Sequence, residues 1–199
     1  MGQRSQIYIR ITDNAGNITF IARYFQWNYA EKMISRARYI MEWLKGYADY
    51  FTNKDYSFCR ARETERLISV INTNFDYKDV TLSTDLLKEA EEAETDGNDF
   101  NGWLFNADNN DGRLFIDVTA ESKIKYCLLD DYNDTDNIMD AEAYIQWETK
   151  GWADEDKNDP EILALNSQNF DYIKENAQLM TKAEIEEFLS YDYSPKPKF

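Results

Sequence analysis

The chain has 199 residues, with 38 Asp and Glu against 22 Lys and Arg, which gives a net charge of −16 at pH 7. Hydrophobic residues make up 43% of it and aromatic residues 15%, far more core-forming material than a disordered acidic tail contains. The absence of histidine excludes Ser-His-Asp and Cys-His nucleophile systems, histidine-ligated zinc and histidine general bases. The composition therefore predicts a folded acidic protein in which catalysis would require carboxylates, Lys, Tyr or carboxylate-bound Mg²⁺.

The charge is distributed unevenly along the chain. Residues 1–70 contain 11 Lys and Arg against 7 Asp and Glu, whereas residues 71–199 contain 11 against 31, a balance of −20. A surface this acidic repels nucleic acid, nucleotides and anionic membranes, and it attracts proteins that hold such polyanions. We therefore expect the partner to be a basic nucleic-acid-binding protein, with no direct binding of duplex DNA and no membrane association.

Periodic patterns in residues 1–95 predict one β-hairpin followed by three helices. Apolar residues alternate over 6–12 and 18–24, and the loop between these two segments contains a glycine. In the predicted helices, 27–51, 60–72 and 84–94, apolar residues recur every three or four positions. Arg38 and Glu42 are spaced as an i,i+4 ion pair on the polar face of the first helix, which predicts that this face is solvated.

Residues 95–99 have the composition of a loop and are the best candidate for a domain boundary. This boundary would divide the chain into the segments 1–95 and 96–199, of which the second is strongly acidic. A single domain is the alternative. Strands at 103–107 and 113–118 are predicted to form a second hairpin, because Asp111-Gly112 between hydrophobic runs is a strong turn signal. A strand at 123–129 and helices at 141–149, 162–180 and 181–189 follow, the last begun by a capping box. The predicted fold class is α+β, with two antiparallel β-hairpin sheets and packed helices.

Sequence motifs for a reaction are missing. The chain contains neither G-x-G-x-x-G nor a Walker loop, and Cys59 and Cys127 share no metal-ligand spacing. Residues 106–112 fail as a calcium loop, because neither possible register places oxygen ligands and glycine where they are needed. We therefore expect no catalytic residue, no metal site and no cofactor. No secretory signal and no bilayer-spanning apolar run is present, which predicts a cytoplasmic location.

Two acidic segments with aromatic neighbours form the candidate partner-binding site. They contain nine selected carboxylates: Asp130, Asp131, Asp134, Asp136 and Asp140 in the first, and Asp154, Glu155, Asp156 and Asp159 in the second. In one interpretation they mimic nucleic acid, presenting carboxylates at phosphate-like intervals to a groove of Lys and Arg. In the other they are solvated loops, as most runs of charge are.

The first thirty residues carry a resemblance to a known group of proteins. GQRSQ at residues 2–6 precedes a predicted strand, and YFQWNY at residues 24–29 leads into a predicted helix. In these motifs the chain resembles uncharacterised acidic proteins of phages and integrative elements of Gram-positive bacteria. In size and acidity it is similar to anti-CRISPR and anti-restriction inhibitors that mimic DNA.

That resemblance implies a counter-defence role in the host cytoplasm. The expected function is non-enzymatic inhibition of Cas9 or a restriction enzyme, by occupation of the basic groove that normally holds a nucleic-acid backbone. Two alternatives stay open. One is a Mg²⁺-dependent carboxylate nuclease or hydrolase, and the other is an acidic adaptor or host-takeover protein unrelated to DNA.

Overall fold

The computed structural model describes residues 3–73 and 82–195 of the chain, which form one six-stranded mixed β-sheet between two layers of helices. The strands are β1 (Arg4–Thr12), β2 (Ile18–Gln26), β3 (Leu82–Asp85), β4 (Arg113–Val118), β5 (Ile124–Leu129) and β6 (Gln178–Leu179). The α-helices are α1 (Glu31–Tyr47), α2 (Asp49–Thr52), α3 (Arg60–Asn72), α4 (Leu86–Thr95), α5 (Phe100–Asn106), α6 (Ala141–Glu148), α7 (Asp154–Lys157), α8 (Pro160–Asn176) and α9 (Lys182–Ser190), and Lys54–Cys59 is a 3₁₀-helix.

The central strand β1 joins two antiparallel hairpins into a single sheet. It pairs antiparallel with β2 and parallel with β4, and the strand order is β3-β2-β1-β4-β5-β6. The predicted α+β fold with two antiparallel hairpin sheets is therefore confirmed only in part. Helices and two antiparallel hairpins, β1–β2 and β4–β5, are present, but the hairpins belong to one mixed sheet instead of two separate sheets. The physical reason is that β1 is buried, so its second backbone edge needs hydrogen-bonding partners, and β4 provides them.

Both faces of this sheet are covered. Ile7, Ile9 and Ile11 pack with residues of α1, α3, α6 and α8, whereas Tyr8 lies in a second core with residues of α4, α5 and α9. The alternation of side chains along a strand sends neighbouring residues to opposite faces, which explains the two cores. Of the strands in the described part of the chain, three belong to the segment 1–95 and three to the segment 96–199. Their division into domains stays a prediction.

The predicted strand at 103–107 is wrong, because these residues belong mainly to helix α5. Phe100, Leu104 and Phe105 are buried on one side of this helix, and the Asp99 side chain caps its first turn by accepting from the Gly102 amide. Asp111-Gly112 consequently leads into β4 instead of closing a hairpin. The hairpin partner of β4 is β5, which confirms the predicted strand at 123–129.

The helices agree better with the sequence-based expectations. Helix α3 has the predicted bounds, and α9 begins with the predicted capping box, in which Thr181 and Glu184 bond each other's backbone amides. The long first helix is shorter than predicted. It starts only at Glu31 because Trp27 and Ala30 have positive φ angles, of 63° and 46°, which are incompatible with a right-handed helix.

Candidate functional site

Carboxylates gather at one edge of the sheet. Pairing of Arg4 with Gln26, and of Arg113 with Leu129, aligns the starts of β1 and β4 with the ends of β2 and β5. The residues just outside these four strand ends therefore meet. We call this region, together with the start of α1 and the end of α6 that reach it, the acidic edge. Among the described residues, its acidic side chains are Glu31, Asp108, Asp111, Asp130, Asp131 and Glu148.

The first predicted acidic segment is an ordered loop followed by a helix cap. Asp130 Oδ1 accepts hydrogen bonds from the backbone amides two and four residues further on, both at 3.0 Å. Asp134 Oδ1 accepts from the amide two residues on at 3.0 Å, and Asp136 forms an ion pair with Lys182 at the start of α9. Asp140 caps α6 through the amide of residue 143, at 2.8 Å. These carboxylates therefore shape their own loop.

The second predicted acidic segment lines a cleft. Asp154 is exposed on the first turn of the short helix α7, and Asp159 caps α8, its Oδ1 accepting from the amide of residue 161 at 2.8 Å. Glu155, Asp156 and Asp159 share a cleft of about 460 Å³ with aromatic side chains from two separate loops. These aromatic rings, of Tyr29 and Trp152, lie edge to face with their centres 6.0 Å apart.

The structure thus brings together only part of the predicted site. The side chains that line the cleft, as far as the structure describes it, include none of the five carboxylates of the first segment. Asp131 of that segment belongs instead to the acidic edge, where the Arg113 guanidinium donates to its backbone carbonyl at 2.8 Å. Partner binding by the nine residues stays a prediction.

Sequence reasoning missed a pair of carboxyl groups at the acidic edge, one of them buried and the other half-buried. Asp111, only 2% exposed, is hydrogen-bonded through its side chain to Glu148. The side-chain amide of Gln3 faces the same carboxyl group and, with its nitrogen toward it, donates to Oδ2 at 3.0 Å. Tyr144, on α6 with Glu148, donates from its hydroxyl to the Asp111 carbonyl at 2.7 Å.

The surroundings of this pair favour its protonated form. Burial is the main cause, and it raises the pKa of Asp111 to about 7 and that of Glu148 to about 8. The charge and hydrogen bond of Asp111 add to the effect on Glu148, as do the charges of Glu31 and Asp131. The two carboxyl groups therefore retain protons at pH values where ordinary carboxyl groups are ionised.

Buried arginines have their partners inside the fold. Arg10 binds Asp117 at 2.9 Å and Glu187 at 2.7 Å. Arg36 donates to the backbone carbonyls of residues 71 and 73, and Arg113 to those of residues 107, 130 and 131. The charges of these three arginines are therefore used inside the fold.

Neither a metal centre nor a relative identifies the chain. Residues 3–73 and 82–195 contain no group of three or more Cys, Asp and Glu side chains placed to hold a metal ion. Within the same residues, none of the helices combines the length and the apolar character needed to cross a membrane. No family model matches the sequence, and no curated protein or solved structure is significantly similar to it.

Proposed function

We propose that the chain is a non-enzymatic inhibitor that binds the basic groove of a nucleic-acid-handling protein, Cas9 or a restriction enzyme, in the host cytoplasm. The observation that supports this most is the separation of charge. Three arginines, Arg10, Arg36 and Arg113, are buried with internal partners, whereas all nine carboxylates of the two acidic segments are exposed or half-buried. Carboxylates compete with phosphates for Lys and Arg because both present anionic oxygens to the same donors.

Local hydrogen bonds support this proposal by fixing where the carboxylates lie. Asp140 and Asp159 are helix caps, and Asp130 and Asp134 hold the backbone of the loop between β5 and α6. Groups ordered before binding lose less conformational entropy when a partner arrives. A mimic of a nucleic-acid backbone requires this kind of fixed anionic surface. In Cas9, the small surface that reads the PAM is a vulnerable target because every later step depends on it.

Neutralising each acidic segment tests the proposal. One variant changes Asp130, Asp131, Asp134 and Asp136 to Asn, and a second carries Asp154→Asn, Glu155→Gln and Asp156→Asn. The control changes the exposed Glu91, Glu92 and Glu94 of α4 to Gln, so it removes a similar charge elsewhere. Circular dichroism checks that each variant is folded, which we expect because Asn keeps the side-chain oxygen with which Asp130 and Asp134 accept from the loop backbone.

Binding to guide-loaded Cas9 and to a restriction enzyme is then measured over a series of salt concentrations. We expect at least one segment variant to bind more than about tenfold more weakly at moderate salt, because each lost carboxylate removes an ionic contact. The control should stay within about twofold of the unchanged chain. Unchanged affinity in both segment variants, or no binding to either protein, would refute the proposal. Binding that is insensitive to salt would favour an adaptor unrelated to DNA.

A second candidate function is a carboxylate-dependent hydrolase or nuclease. The Asp111–Glu148 pair favours it, because strongly shifted pKa values cluster at functional sites. A cleavage assay distinguishes the two functions. Catalytic amounts of the chain are incubated, with and without Mg²⁺, with labelled RNA, single-stranded DNA and duplex DNA. Turnover that is lost in Glu148→Gln would establish the enzyme. Stoichiometric inhibition that persists in EDTA would establish the inhibitor.

A further inference from the structure

A cleft of about 630 Å³ lies where β2 meets α4 and α5. Its lining includes Tyr24 from β2, Glu89 from α4, Trp103 from α5 and Asp108 from the loop that follows α5. None of the residues described as lining it belongs to the two acidic segments. The cleft is therefore a separate feature, and its chemistry can be considered independently of the proposed mimicry.

Hydrogen-bond acceptors dominate this cleft. Its lining contains the carboxylates of Glu89, Asp99 and Asp108, with no Lys or Arg among the described lining residues. The amide nitrogens of Asn98 and Asn106 donate to backbone carbonyls at 3.0 and 2.8 Å. Neither side-chain oxygen accepts a hydrogen bond within the described part of the chain. A ligand that donates several hydrogen bonds and accepts none would match this set.

Glu89 is the carboxylate that the fold leaves available. Asp108 pairs with Arg4, and Asp99 caps α5. The half-buried Glu89 forms no hydrogen bond and no direct ion pair with any other residue that the structure describes, and its charge acts only at longer range on the Arg23 guanidinium, which donates to Ser83. A half-buried carboxylate without a direct ion pair gains more from forming one than a fully solvated carboxylate does, because less water competes for it.

Aromatic side chains supply the walls of the cleft. Trp103 is 45% exposed although large and apolar, and Tyr24 of β2 is half-buried. The face of an indole ring attracts cations more strongly than the ring faces of Tyr and Phe do. A planar cation can stack on such a ring and still direct its N–H groups to acceptors at its edge.

We propose that this cleft binds a guanidinium group, stacked on Trp103 and hydrogen-bonded to Glu89. The guanidinium group is planar, always charged, and has five N–H donors and no acceptor, which matches the lining better than an ammonium ion does. It belongs either to an arginine side chain of a protein partner or to a small free guanidine compound. Guanidinium binding at this cleft does not depend on the acidic segments. It can therefore be absent in a chain that inhibits a nucleic-acid-binding protein, and present in a chain that does not.

The site is tested by titrating the full chain with methylguanidinium. Calorimetry and tryptophan fluorescence measure the binding. Methylammonium at equal concentration controls for ionic strength. Glu89→Gln is matched by Glu91→Gln, which removes the same charge from the exposed side of α4. Trp103→Phe is matched by Trp27→Phe, because Trp27 is 46% exposed and lies outside this cleft.

We expect saturable binding with a Kd of about 1–10 mM, as for a small ligand with one ion pair. Glu89→Gln should weaken binding at least about fivefold and Trp103→Phe should abolish the fluorescence change, while both controls behave as the unchanged chain. A capped Gly-Arg-Gly peptide identifies the source. Tighter binding of the peptide than of methylguanidinium indicates a protein partner, and weaker binding indicates a free compound. No saturation by about 50 mM, an equal response to methylammonium, or equal affinities of Glu89→Gln and Glu91→Gln would overturn the proposal.

Discussion

Replacing Glu148 with Gln should change how folding stability depends on pH. The folded-state pKa values of about 7 for Asp111 and about 8 for Glu148 lie above the ordinary values of 3.8 and 4.5 for these side chains. Between these limits the folded chain keeps protons that the unfolded chain has lost, so the free energy of unfolding falls as pH rises. One pKa unit corresponds to about 1.4 kcal/mol, so the shift of Glu148 sets a ceiling of about 5 kcal/mol.

The expected loss is smaller than this ceiling. Glu148 is only half-buried, and water reaching an ionised pair weakens the penalty, so we expect about 2 kcal/mol between pH 5 and pH 9. Gln cannot ionise, so Glu148→Gln should be more stable than the unchanged chain by about 1–2 kcal/mol at pH 9. At pH 5, where Glu148 is protonated in the folded chain, the two should agree within about 0.5 kcal/mol.

Urea unfolding at unit pH intervals from 5 to 9 measures this difference. The chain has no histidine, so only thiols and the α-amino group normally titrate in that range besides the pair. Glu142→Gln is the control, because Glu142 is exposed and lies on the same helix. If the free energy of unfolding changed equally with pH in Glu148→Gln and in the unchanged chain, the conclusion that the pair is protonated would be refuted.

The remaining predictions concern stability and are checked by the same urea measurements at pH 7. Leu44→Ala should cost about 2–5 kcal/mol, because Leu44 is fully buried in α1, whereas Arg38→Ala on the same helix should cost less than about 1 kcal/mol. Equal costs would contradict the assigned faces. Gly112→Ala should cost more than about 2 kcal/mol, because Gly112 has a φ of 82° and an added Cβ would lie 2.8 Å from a backbone oxygen. A neutral effect would show that this turn relaxes easily. Thr181→Ala should cost about 1 kcal/mol through loss of the capping box, and an unchanged midpoint would contradict that role.

Local signals in the sequence predicted the local parts of the fold. The alternation of Ile7, Ile9 and Ile11 identified β1, and the Thr181–Glu184 capping box identified α9, because each pattern reports contacts within one element. A strand at 103–107 was predicted in place of helix α5, because Asp111-Gly112 is a strong hairpin signal. The buried residues Phe100, Leu104 and Phe105 have the spacing of a helix instead. The parallel pairing of β1 with β4 has no local signal, since it depends on burial of both edges of β1.

The candidate sites show the same limit. Runs of charge identified the two acidic segments, because their carboxylates are neighbours in the sequence. Asp111 and Glu148 come from a loop and a helix, and among 38 acidic residues no spacing distinguishes them. The same holds for Glu89 and Trp103, which lie on different helices. Such constellations become visible only when the topology places their elements side by side.

The junction of β1 with β4 also affects how the chain folds during synthesis. Arg10 and its partner Asp117 across this junction are 107 residues apart. The hairpin of β1 and β2 can form within microseconds, whereas ribosomes need about 5–20 s to add the residues that lead to β4. Throughout that interval one edge of β1 has no native neighbour, and open edges invite pairing with other chains. Fragments that end before residue 113 should therefore aggregate, and yield of the whole chain should depend on how fast translation covers this stretch.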